Sequence, residues 1–131
     1  MRERLAARFI RHAAIYALIG MAWGIYMAAS QDHATHPGHA HLLLLGWVSM
    51  ALYGIVYRLY PKAAEGKLPV IHFWLANLGI ILMAPGIALV IVGKAAIGEP
   101  MAIAGSLLTI VSMVLFLIAV FRGTSASASG H

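Results

Sequence analysis

The chain of 131 residues contains no cysteine. That absence excludes disulfides, thiolate zinc sites, iron–sulfur clusters and any cofactor attached through thioethers. Charge is scarce too. Charged side chains make up 10% of the chain, where a soluble domain carries about a quarter, and hydrophobic residues make up 62%. Acidic side chains number four against nine Lys and Arg. The pI near 10.0 would suggest nucleic acid in a soluble protein. Here the basic residues sit at the ends of apolar runs and do not interleave with aromatics, so no nucleic-acid partner is expected. The length allows one domain and leaves no room for a soluble one beside membrane spans.

What is present is a set of four apolar runs, at about 13–30, 40–60, 70–93 and 101–121. Each is close to the ~20 residues that cross ~30 Å of hydrocarbon as a helix. Pro and Gly punctuate the gaps between them: Pro37 and Gly38 in the first, Pro61 and Gly66 in the second, Gly98 and Pro100 in the third. The expected fold is all-α, an integral membrane four-helix bundle in one domain over residues 1–122. Residues 123–131, rich in Ser, Ala and Gly, are expected to form a disordered tail. The basic start at Arg2, Arg4, Arg8 and Arg11 resembles that of a signal peptide, with residues 28–30 as a cleavage region. The apolar run that follows is longer than a usual signal core, so it is read as a span.

Lys and Arg placement sets the expected topology. Eight of the nine (Arg2, Arg4, Arg8, Arg11, Arg58, Lys62, Lys67 and Arg122) fall at one side, and only Lys94 at the other. The positive-inside bias puts both termini on the cytoplasmic side and residues 31–38 and 94–100 outside. Lipid is the first expected partner. Small residues suggest close helix packing: Gly20 and Gly24 form GxxxG, Ala76, Gly79 and Gly86 line a stripe near Met83, and Gly105, Ser106, Thr109 and Ser112 lie in the last run. The sharper reading of those stripes is a flat surface for a porphyrin.

Seven histidines are unevenly placed. His33, His36, His39 and His41 crowd the outer side in HATHPGHAH. His12 and His72 start the first and third runs, and His131 ends the chain. Ionisable residues at membrane depth are costly and mark functional sites. His39 and His41 fall in the first turn of the second helix. A two-residue step is about 200° of rotation, so the pair cannot easily hold one metal from one face and instead serves two sites. Gly46, Met50, Tyr53 and Tyr57 follow beneath His39, and Leu45, Val48, Leu52 and Leu59 beneath His41. Imidazole beside an apolar wall suits haem iron. The plain alternative, strongest for His33 and His36, is interfacial polarity. Copper competes, since imidazole binds it as well, with Met27 and Met101 as candidate thioether donors. Asn77, buried in a span, needs a partner and is expected to tie helices together. His12 and His72 are candidates for a second, inner site.

Residues 38–61, GHAHLLLLGWVSMALYGIVYRLYP, resemble the catalytic-subunit family of haem-copper oxidases and nitric oxide reductases, and especially its short bacterial cytochrome c oxidase-like members. HFWLANLG at 72–79 fits that group as well. The resemblance implies an arrangement in which twelve helices form three arcs of four, and in which an HxH on the second helix of one arc serves two haems. His39-Ala40-His41 is similar to that pair. A four-helix chain is then one arc, and a homotrimer rebuilds the ring, with His39 of one protomer and His41 of its neighbour ligating one haem b. Further expectations are a bacterial inner (cytoplasmic) membrane location and a redox partner protein or quinone. The sequence shows no histidine set for an active-site copper, no His-Tyr cross-link motif and no intramembrane Glu or Lys, so no independent oxidase activity is expected. His36, His33 and His72 are the weaker ligand candidates. The competing roles are copper handling by the outer histidines and an accessory subunit of a respiratory complex.

Overall fold

The computed structural model describes residues 2–128, and His131 lies outside them. Among the described residues there are four helices long and apolar enough to cross a membrane, and no strands. Helix α1 spans Arg2–Ser30, α2 His36–Leu59, α3 Leu68–Ile91 and α4 Ala95–Ala128. A short 3-10 turn, Pro61–Ala64, joins α2 to α3.

The boundaries differ from the expected runs in three places, each with a physical cause. Helix α1 begins at Arg2 instead of near residue 13, because Arg and Lys are good helix formers whose heads reach water from a helix end. Helix α4 begins at Ala95, so Gly98, Glu99 and Pro100 are helical and the outer turn between α3 and α4 is short. Pro is tolerated near a helix start, and neighbouring helices re-satisfy freed backbone groups in a membrane protein. At its far end α4 runs on to Ala128, through the first part of the segment expected to be a disordered tail. The rest of that tail falls outside the described residues.

Close packing follows the small residues. A Cβ on Gly79 would lie 3.1 Å from the Thr109 nitrogen, and one on Gly86 2.7 Å from the Ala102 nitrogen. A Cβ on Gly105 would lie 2.8 Å from the Gly79 carbonyl oxygen. Backbones of α3 and α4 therefore meet directly, as small-residue stripes permit in membranes. The stripes of α3 and α4 thus form a helix seam, while Gly20 and Gly24 of α1 face Leu43 and His39. Gly93, at φ 90°, turns the chain out of α3, and the Lys94 N–H closes the turn on the Leu89 carbonyl at 2.8 Å.

The basic residues gather at one end of the bundle. Arg58 pairs with Glu3 at 3.1 Å, and Arg122 Nη2 donates to the Glu65 carbonyl at 2.6 Å. These contacts bring the start of α1, the α2–α3 connection and the last part of α4 together. The Arg58–Glu3 pair is largely exposed, so it contributes little to stability.

Candidate functional site: the outer histidines

Helix α2 is built in three parts. His36–His41 is α-helical, Leu42–Ser49 is π-helical and Met50–Leu59 is α-helical again. The π stretch uses i→i+5 hydrogen bonds and winds more residues into each turn than the 3.6 of an α-helix. The Ser49 hydroxyl follows the same spacing, donating to the Leu44 carbonyl at 2.8 Å. Gly38, Leu42, Gly46 and Met50 are all buried, four residues apart. On a regular α-helix that stripe would drift by about 40° per step. The extra residues per turn keep it facing the core.

His39 and His41 flank this buried stripe, one on each side. His39 faces α1. Its ring fills the space left by Gly24, where a Cβ would lie 3.1 Å from the imidazole Cε1. The Trp23 ring stands edge-on at 6.2 Å, and the Trp23 indole N–H donates to Thr35 at 3.0 Å, tying the outer loop to α1. His39 Nδ1 is buried and has no hydrogen-bond partner. His41 lies on the other flank, half-buried. Its Nδ1–H donates to the Pro37 carbonyl at 2.7 Å. A carbonyl only accepts, so this bond fixes the tautomer and leaves Nε2 with its lone pair. That is how a metal-ligating histidine is usually oriented.

Gly38 brings this turn into the bundle. A Cβ there would lie 2.9 Å from both the Ala84 carbonyl oxygen and the Trp23 ring. Pro37 occupies the first turn of α2, where its missing N–H costs nothing. Below the histidines the two faces differ as expected. Gly46, Met50, Tyr53 and Tyr57 are buried, whereas Val48, Leu52 and Leu59 are exposed and Leu45 is half-buried.

The other candidates fall elsewhere. His33 and His36 are exposed, with the His36 ring 6.4 Å from that of His39. Among the described residues no three His, Asp or Glu side chains converge as a metal-binding group. Met27 is buried near the outer end of α1, and Met101 packs on Gly86. His12 and His72 take separate partners. Asn77 Oδ1 accepts from the Tyr16 hydroxyl at 2.6 Å and from His12 Nδ1 at 2.8 Å, while its Nδ2 donates to the Phe73 carbonyl at 2.8 Å. Asn77 thus joins α1 to α3, as expected of it. His72 is fully buried, with Nδ1 bonded to the Tyr57 hydroxyl at 2.8 Å and the rings of Phe9, Tyr53 and Phe116 around it. His12 and His72, expected together at an inner site, bond to Asn77 and Tyr57 respectively. Sequence reasoning missed Trp23 and Tyr57 as histidine partners, and it read Gly24 as helix packing or porphyrin surface and not as the seat of the His39 ring. The GxxxG spacing was the available signal.

The fit of these residues to haem rests on two observations. His41 presents a free Nε2 on a pinned ring, and His39 is an imidazole with an orphaned buried nitrogen, seated where a glycine makes room for it. Both are nitrogen donors of the kind haem iron takes.

Comparison with known proteins finds local similarity. The chain is 43% identical over 53 residues to "Cytochrome c oxidase subunit 1" of Rhodobacter capsulatus, covering 36% of this chain and 10% of that protein. It is 41% identical over 51 residues to "Cbb3-type cytochrome c oxidase subunit CcoN1" of Stutzerimonas stutzeri, covering 34% of this chain and 11% of that one. The chain therefore spans about a tenth of the length of the curated relatives it matches. No family model matches, and no solved structure does.

Proposed function

We propose that this chain is a haem b-binding membrane cytochrome, related to subunit I of the haem-copper oxidases, that acts in electron transfer or another redox role. The observation that carries the reading is the HxH on α2, whose two imidazoles flank one buried stripe and leave that helix on opposite sides. Local similarity to oxidase subunits supports it.

His39 and His41 are the proposed axial ligands. Because they diverge, one chain does not present both to a single iron, and the arrangement favours a symmetric ring in which each α2 serves two interfaces. A homotrimer is the assembly we favour, with His39 of one protomer and His41 of the next meeting across each interface. The exposed face of α2, with Val48, Leu52 and Leu59, then becomes interprotomer surface. Held by these two histidines, a haem would supply one-electron chemistry. The protein's own contribution is to hold the His41 tautomer through Pro37, to seat His39 on Gly24 and to exclude water with the apolar faces below. Independent oxidase activity is not part of this proposal. A redox protein or quinone exchanges the electron. The membrane is the bacterial inner membrane, with the basic end of the bundle and both termini in the cytoplasm.

The test is an absorption spectrum of detergent-purified protein, oxidised and dithionite-reduced, after expression with ample haem. A sharp Soret band with split visible bands on reduction supports the cytochrome. A featureless visible region removes it and leaves copper handling or an accessory role. Native mass spectrometry reads the protomer count and the number of haems per assembly.

A further inference from the structure

At the basic end of the bundle a cleft opens between the first turns of α1 and the start of α3. Arg4 and Arg8 line one wall, a helical turn apart on the same face of α1 and both exposed. Buried Leu5 and Ala64 line the cleft as well, and Val70 opens it towards the outer surface of α3. Gly66, in the left-handed region at φ 81°, and Glu65 complete the rim. The ion pair between Arg58 and Glu3 involves neither Arg4 nor Arg8.

The surface above the cleft is as informative as the cleft itself. Val70, Trp74, Leu78 and Ile81 are all exposed and lie at i, i+4, i+8 and i+11 on α3. They form one apolar strip that rises from the cleft along the side of a membrane helix. Trp at this height suits the membrane–water boundary. Two guanidiniums at the foot of an apolar strip match a molecule with a phosphate at one end and a hydrocarbon chain at the other. Guanidinium is the side-chain group best matched to phosphate oxygens.

We propose that this cleft seats the headgroup phosphate of an anionic phospholipid, with Arg4 and Arg8 on the phosphate and an acyl chain along Val70, Trp74, Leu78 and Ile81. Zwitterionic lipid, whose phosphate carries its own cation, binds less well. The site is independent of haem binding at the opposite end of α2.

The test uses full-length protein in detergent, with native mass spectrometry of lipid retained from phosphatidylglycerol, phosphatidylcholine or inorganic phosphate. Phosphatidylglycerol is expected to bind about tenfold more tightly than phosphatidylcholine. R4Q/R8Q should remove that preference, R4K/R8K should keep most of it, and K94Q at the other end should leave it unchanged. The variant V70D, which sets a carboxylate in the apolar wall, should weaken phosphatidylglycerol with both arginines present. Equal retention of the two lipids, or a preference that survives R4Q/R8Q, overturns the proposal. Inorganic phosphate bound as tightly as phosphatidylglycerol also overturns it, because the apolar strip then contributes nothing.

Discussion

In the half of the bundle nearer its basic end, most buried polar side-chain atoms meet a partner on another helix. Tyr16, His12 and Asn77 form one cluster, and Tyr57 meets His72 in a second. At the outer end of α2 the buried Nδ1 of His39 has no partner, and His41 turns inward only as far as the carbonyl of its own helix turn. His72 Nε2 is also unpartnered, but it is enclosed by aromatic rings, whereas His39 sits at the flank of a helix beside a glycine. The two regions differ in how far their histidines are tied to side chains of other helices. An uncompensated buried polar atom costs about 1–3 kcal/mol.

The comparison can be broken most sharply by replacing His39 or His41 with Ala. Either change is expected to abolish the low-spin haem spectrum while shifting the thermal midpoint of the purified protein by little, read by pyridine haemochrome assay and by unfolding in detergent. A variant that keeps its full spectrum would move the outer histidines into the structural class. Asn77→Leu should do the reverse. It removes three hydrogen bonds and strands the Tyr16 hydroxyl, a loss of about 2 kcal/mol in thermal or denaturant unfolding, with the form of the haem spectrum retained. Tyr57→Phe is smaller, about 1 kcal/mol, since it leaves His72 Nδ1 without its partner but preserves the ring packing. Gly24→Ala sharpens the outer half. The added methyl lies within 3.1 Å of the His39 ring, so the imidazole must shift by a few tenths of an ångström. The expected result is a displaced Soret maximum or a weaker haem affinity, seen in a haem titration, with stability nearly unchanged.

The spans, the basic end and the role of Asn77 were legible in the sequence. Each depends on a property visible one residue at a time, namely apolar length, charge position and a lone amide in hydrocarbon. The placement of His39 and His41 on opposite sides was also legible, because the HxH lies in regular α-helix and its rotation is fixed. The π stretch was not. LLLLGWVS is apolar on every side, so it gives no periodic signal from which a change of winding could be read. Pro100 misled for a related reason. Its effect depends on its distance from a helix start that nothing in AAIGEP marks. His12 and His72 looked like a pair because they share a depth, yet Tyr57 and Asn77, on other helices, decide where their nitrogens go.

The unusual winding of α2 also makes that helix sensitive to chain length. Between the outer histidines and the buried Tyr53 and Tyr57 lie eight residues whose phase is set by backbone bonding and not by side-chain pattern. Removing a single leucine from Leu42–Ser49 would turn the outer pair by somewhat less than the α-helical step of about 100° against the other half, while leaving the composition of both ends untouched. The segment works as a phase adjuster between two fixed ends. A membrane helix of this kind can re-aim the His39–His41 pair by one insertion or deletion, without a substitution at either histidine.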